Sequence, residues 1–298
     1  MPAEKNYLLD KVNDNLYFLR PLTHENAASM VLVKGETADA PNVLIDTGED
    51  SAAITDALIP ALAELSLNVT DIGIVTFTHC HEESIGGLRK LKELHSNICV
   101  AAPTKCADRI LNPMYYLLEM RRHFPENNPP FREVRGTFVD AVISEGSQIA
   151  GFTLISAAGH DEDCYCWYHE PTRTLISGDS LQGNGNKYQG MPFYRSFAEY
   201  RRTVKRLMNT EINTLLCSHD MNGIGYSVKN DPEKCKTALR RCWECTDEND
   251  RLVKELKRTE HSDIREIARA ISEKNFDGTV PEHLFAAMFT VSEHYKRV

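Results

Sequence analysis

Five times in its first 220 residues this chain runs through a short apolar stretch and then places a histidine or an aspartate. "NVLIDTG" (42–48) delivers Asp46, and "IGIVTF" (72–77) delivers His79 and His81. "FTLISAAGH" ends on His160, "TLISGD" on Asp179 and "NTLLCSH" on His219. Short apolar runs bounded by turn residues read as buried strands. Polar side chains where strands open into loops can converge at one rim of a sheet. A lone His-x-His pair is a weak signal; five such strand ends together restrict the chain to a sheet-based fold with a polar rim.

Further strands are read at "NLYFL" (15–19), "SMVLV" (29–33), "ICVAAP" (98–103) and "CYCWY" (164–168). Helical periodicity falls at 49–65, interrupted at Pro60, and at 86–94 and 197–208. Residues 104–135, with the aromatic "NPMYYLLEMRRHF", read as an insertion, and the glycine-rich 180–195 as a loop. From 229 onward the pattern is almost wholly helical. Cys235, Ala238, Leu239, Cys242, Val253 and Leu256 form one apolar stripe, and Ile264, Ile267, Ala268 and Ile271 a second. The expected organisation is an α/β domain over 1–228 and a helical module over 229–298.

Composition removes several function classes. At 42% hydrophobic residues over 298 positions the chain can bury a core. Its net charge of −9 repels phosphate backbones, so a general nucleic-acid partner is not expected. Nine scattered cysteines contain no pair of CxxC motifs, which argues against a structural zinc ribbon. Cys235, Cys242 and Cys245 share a predicted helix and read as small buried residues rather than a thiolate cluster. The sequence has no apolar run of about 18 residues and its first ten residues have no apolar core. The expectation is a cytoplasmic protein with free thiols and no membrane partner.

An extended chain past Phe77 would point His79 and His81 the same way, because side chains in a strand alternate. Two imidazoles so placed suit zinc, iron or a related ion. With the later strand ends, the sequence resembles the metallo-β-lactamase superfamily of hydrolases. The family's leading motif, Thr-His-x-His-x-Asp-His, falls on Thr78-His79-Cys80-His81-Glu82-Glu83-Ser84, followed by the fitting Gly86-Gly87. The resemblance covers roughly residues 15–220. It implies an αββα sandwich with a metal centre between the sheets and a C-terminal helical appendage. It places the family's third histidine on His160, its bridging aspartate on Asp179, its final histidine on His219 and its Asp-Thr-Gly turn on Asp46–Gly48. The tail is similar in length and helix order to the winged-helix-like module of relatives of β-lactamase-like protein 2.

Two positions depart from the family pattern: Glu83 replaces the aspartate and Ser84 the histidine. The resemblance implies a first metal on His79, His81 and His160, and a second on Asp179, His219 and Glu83. A serine hydroxyl is a poor ligand, so the count stays open between one and two ions, zinc first, with iron or manganese as alternatives. The implied chemistry is hydrolysis, with a metal-bound hydroxide attacking a small ester, thioester or lactone. Glu83 and Asp179 are the expected catalytic carboxylates, with Glu83 orienting the nucleophile or carrying its proton. Asp46 is expected to support a ligand histidine, or else to cap a turn. Thr78 is expected to be structural. Substrate contacts are expected from His24, Tyr188 and Tyr194, and from an aromatic cover containing Tyr115 and Tyr116. A nuclease or phosphodiesterase, a mononuclear non-haem iron oxygenase or oxidoreductase, and a catalytically impaired binding protein remain as alternatives. The apolar faces of the tail are compatible with a homodimer.

Overall fold

The computed structural model describes residues 5–23, 27–37, 39–127, 133–184, 191–220, 223, 225–259, 263–275 and 281–297. Its internal contacts fall into two compact units. The first comprises Met1–Leu118, Arg132–Ser156 and Tyr165–Glu170; the second comprises Glu119–Phe131, Ala157–Cys164 and Pro171–Val298.

The first unit holds a seven-stranded sheet in chain order: β1 (Tyr7–Lys11), β2 (Leu16–Pro21), β3 (Met30–Val33), β4 (Asn42–Ile45), β5 (Ile72–Thr76), β6 (Cys99–Pro103) and β7 (Ala141–Ile143). The strands pair antiparallel from β1 to β4 and parallel from β4 to β7. Parallel neighbours need a crossover. Between β4 and β5 it is a π-helix, Ala53–Leu58, running into α1 (Ile59–Glu64). Between β5 and β6 it is α2 (Glu82–Ile85) with α3 (Leu88–Leu94). Between β6 and β7 it is α4 (Ala107–Leu111) and α5 (Pro113–Arg121). The interruption expected at Pro60 does not occur. Pro60 follows the π turn, and the helix runs through it without a break.

A smaller antiparallel ladder in the same unit joins β8 (Gln148–Ile149), β9 (Phe152–Ser156) and β10 (Tyr165–His169). It fixes the chain just beyond β5. The Tyr165 N–H donates to the Thr78 carbonyl at 2.7 Å, and the indole N–H of the fully buried Trp167 donates to the Phe77 carbonyl at 3.2 Å.

In the second unit β11 (Thr174–Gly178) runs parallel to β12 (Thr214–Cys217), which pairs antiparallel with β13 (Ser227–Val228). The crossover from β11 to β12 contains α6 (Phe197–Met208), whose buried face is Phe197, Tyr200, Thr203, Val204 and Leu207. That spacing is one helical stripe. Three helices follow: α7 (Pro232–Thr259), α8 (Ile264–Asn275) and α9 (Pro281–Tyr295). Most of both expected stripes is inside: Val253, Ile267, Ala268 and Ile271 join Ala287, Met288 and Val291 of α9 in one core, with Leu256 and Ile264 partly buried against it. Cys235, Cys242 and Cys245 are buried free thiols, and burial pushes the Cys245 thiol well up, as expected of packing residues. Among the described residues no helix is long and apolar enough to cross a membrane.

Candidate metal centre

The motif residues do not continue β5 as an extended strand. The strand stops at Thr76, and α2 begins directly after His81, which has extended backbone angles of φ −72° and ψ 161°. Glu83 therefore sits in the first turn of a helix and faces back over its own motif. His79 Nε2 lies 3.2 Å and His81 Nδ1 3.3 Å from the same oxygen, Oε1 of Glu83. One donor atom from each of the three residues lies within 4.8 Å of the other two. The two glycines that follow are a packing requirement. A Cβ on Gly86 would run into the carbonyl of Glu49, and one on Gly87 into that of Thr47. The helix bearing Glu83 could not come this close to the turn after β4 with any side chain there.

The second ring nitrogen of each histidine is also engaged. Asp46 has a φ of 63°, a left-handed conformation that aspartate tolerates better than most residues. Its Oδ1 accepts the Thr78 N–H at 2.9 Å and its Oδ2 accepts the Thr78 hydroxyl at 2.7 Å. A hydroxyl has one proton. With that proton on Asp46, the Thr78 oxygen 3.1 Å from His79 Nδ1 can only accept, so Nδ1 carries a hydrogen. The Ser84 hydroxyl also lies 3.1 Å from this nitrogen. Nε2 is thereby turned toward Glu83 as the nitrogen able to bind a metal. His81 is held similarly: its Nε2 meets the Tyr116 hydroxyl at 3.0 Å, and the two rings stack with centroids 5.8 Å apart. The Arg109 guanidinium covers the Tyr116 ring at 4.0 Å.

Burial works against the Glu83 carboxylate, but hydrogen bonds from the His79 and His81 rings outweigh it and hold the carboxyl well below its ordinary range; they use a proton on His79 Nε2 that a bound metal ion would replace. Two imidazole nitrogens facing one ionised carboxylate oxygen in a largely dry setting make a fitting donor set for a divalent ion of borderline hardness.

The second unit gathers the other three expected ligands. His160, Asp179 and His219 follow β9, β11 and β12. His219 Nδ1 lies 2.8 and 2.9 Å from the two oxygens of Asp179, and His160 Nε2 lies 4.0 Å from the nearer one. His160 Nδ1 is 2.7 Å from the carbonyl of Phe193. A carbonyl only accepts, so Nδ1 holds the proton and Nε2 presents its lone pair on the Asp179 side.

Several expected contacts are relocated. The support that Asp46 gives to a ligand histidine runs through Thr78, which is therefore more than a structural residue. Tyr194 does not line a pocket. It is fully buried, stacked on Tyr200 at 4.8 Å, with its hydroxyl 2.6 Å from His294 Nε2. The residue after it, Arg195, gives its guanidinium to both oxygens of Asp161 at 3.0 and 3.1 Å. His24 and Tyr188 lie outside the described residues. Of the aromatic cover, Tyr116 is buried on His81 while Tyr115 is 72% exposed. The sequence gives no sign of Phe193 as a partner of a ligand histidine. For Ser84 the one available sign is its adjacency to the motif.

The comparisons agree with this chemistry. The sequence matches the metallo-beta-lactamase superfamily profile over residues 25–219. The chain belongs to the metallo-β-lactamase superfamily, whose fold of mixed sheets with flanking helices it shares. It is similar to a β-lactamase-like protein 2 homolog of Caenorhabditis elegans, 22% identical over 67% of this chain and 57% of that protein. It is also similar to a hydroxyacylglutathione hydrolase of Klebsiella pneumoniae, 22% identical over 60% of this chain and 57% of that one. The chain thus spans less than two thirds of the length of these two relatives. A metallo-β-lactamase family protein of Thermus thermophilus has a similar fold, with a TM-score of 0.72 at 18% identity over 96% of this chain and 95% of that one.

Proposed function

We propose that this protein hydrolyses small thioesters, using zinc held by His79, His81 and His160, with Asp179, His219 and Glu83 as ligands of a second ion. The observation that carries the reading is the shared Glu83 oxygen, with His79 Nε2 and His81 Nδ1 both turned onto it. The thioester preference draws on two relatives named hydroxyacylglutathione hydrolase, at 22% and 25% identity.

When bound, zinc supplies Lewis acidity that makes water nucleophilic near neutral pH. The chain's own groups orient and move the proton. Glu83 would accept a hydrogen bond from the attacking water at Oε1 and take up its proton. The water oxygen bonds to the carbonyl carbon, the carbon–sulfur bond breaks, and the proton goes to the departing sulfur.

Protein purified without added metal, analysed for its elements and assayed on thioesters, lactones and phosphodiesters, tests the reading. The expected result is zinc, thioester turnover, and a loss of about 10²–10⁴-fold in kcat for Glu83→Gln. One equivalent of iron, turnover of phosphodiesters alone, or an unaffected Glu83→Gln variant would each overturn it.

A further inference from the structure

His160 is not held by its own strand. Its orientation comes from the segment 191–197, and that segment is held by the last helix. Phe193 contributes twice: its carbonyl takes the His160 Nδ1 proton at 2.7 Å, and its ring meets the His160 ring edge-on at 4.9 Å. The other side of the Phe193 ring packs edge-on against Phe289 of α9 at 5.5 Å. On either side of Phe193 the backbone is bonded to Thr290 of α9. The Thr290 hydroxyl donates to the Pro192 carbonyl and accepts the Tyr194 N–H at 3.3 Å. Tyr194 then gives its hydroxyl to His294 of α9 at 2.6 Å, and the Phe197 N–H donates to Glu293 of α9 at 3.0 Å.

Four residues of one helix, Phe289, Thr290, Glu293 and His294, thus bracket the single carbonyl that fixes the His160 tautomer. A hydroxyl wedged between the carbonyl of residue 192 and the amide of residue 194 sets the peptide geometry on both sides of Phe193. Thr290 itself is fully buried, as are Tyr194 and His294, so the clamp is built into the core and is not a surface contact.

We propose that α9 is a positioning element for the metal ligand His160. Thr290 is its central positioning residue, acting through the Phe193 carbonyl to keep the proton on Nδ1 and the lone pair on Nε2. The proposal rests on the reading of His160 as a metal ligand. It gives the helical tail a part in the chemistry although none of its side chains needs to touch substrate. Partners that orient a ligand histidine in this way typically matter by about 10–100-fold in metal affinity.

The test compares the full-length protein with Thr290→Val, Thr290→Ser and His160→Ala. Zinc affinity is measured by competition with a chromophoric chelator, and the His160 tautomer by nitrogen-15 NMR of the metal-free proteins. Thr290→Val is expected to bind zinc about 10-fold more weakly and to show a mixture of His160 tautomers. Thr290→Ser, which keeps the hydroxyl, is expected to restore both. Should Thr290→Val not fold, Tyr194→Phe, which loses only the hydroxyl toward His294, takes its place with a smaller loss expected in the same direction. A variant that keeps wild-type zinc affinity and a pure Nδ1–H tautomer overturns the clamp. An unchanged zinc affinity in His160→Ala overturns instead the reading of His160 as a ligand, and the tautomer measurement still decides the clamp.

Discussion

At the scale of single residues, the decisive feature is the direction of one proton. Asp46 can only accept, so it orients the Thr78 hydroxyl, and that hydroxyl in turn orients His79. Asp46→Asn is nearly isosteric but reverses the relay. An amide N–H aimed at Thr78 Oγ1 would turn the hydroxyl proton toward His79 Nδ1 and favour the opposite tautomer. Zinc affinity should fall by about 10–100-fold with little loss of fold stability, measured by chelator competition alongside thermal melting. An unchanged affinity would show that the relay is only structural. The sequence made the ligand types legible, because His79, His81, His160, Asp179 and His219 all stand at the ends of apolar runs. It could not show the relay through Thr78, nor the burial of Tyr194, since both depend on which long-range neighbour a side chain meets. Ser84 changes meaning too. Its hydroxyl faces the Nδ1 side of His79, the side turned away from Glu83, so it is a partner of a candidate ligand.

At the scale of elements, the long periodic segments were readable and the short ones were not. The helix expected at 197–208 matches α6 residue for residue, because its apolar stripe and its Ser196 cap mark it locally. β7, β8 and β13 run two or three residues each, too short for a periodic pattern, and exist through their pairing. The bend after β5 was also illegible. It depends on Gly86 and Gly87 letting α2 approach the turn after β4. Gly86→Ala should therefore destabilise the protein by about 1–3 kcal/mol or more, read by chemical denaturation, because backbone rather than a flexible side chain stands in the way. A stability within error of wild type would remove that explanation of the glycine pair. A second element-scale prediction concerns α9. Burial pushes the His294 imidazole down, against the opposing hydrogen bond and charge of Asp250 on α7. Glu293, Arg297 and the Tyr194 hydroxyl complete the polar groups around it, and Lys254 pairs with Asp250. The unfolded imidazole, titrating near 6.5, takes up a proton before the folded one does. This contribution to stability is complete above that pH and declines as the pH falls from about 7 to 5. The melting temperature of wild type should drop across this range more than that of His294→Gln. Parallel curves would show that His294 is not the sensor.

At the scale of the whole molecule, the two units use the same device. In each, most of the candidate ligands follow the C-terminal ends of parallel strands, β5 in the first and β11 and β12 in the second, while His160 follows the antiparallel β9. Strand ends of this kind open into loops and crossovers, so polar groups there are free to serve chemistry while the strands stay apolar. The sequence shows this rule clearly, and it is why the superfamily could be read from five strand ends and the motif at Thr78–Ser84. It gives no comparable account of the tail. An apolar stripe says that a helix face is covered but does not say by what. In the second unit, α7 buries Cys235, Ala238, Leu239, Cys242 and Cys245, and α9 holds the 191–197 segment. A fragment ending at residue 228 would expose these contacts and leave Tyr194 without its partners on α9. If residues 229–298 formed an independent module, the fragment would melt cooperatively and bind zinc as the full chain does. The structure predicts otherwise: weak or absent cooperative melting, and zinc affinity reduced at least as far as in Thr290→Val. Calorimetry and chelator titration of the 1–228 fragment decide between these outcomes. A fragment with both properties intact would make the tail a true appendage and would leave the clamp on His160 without a function.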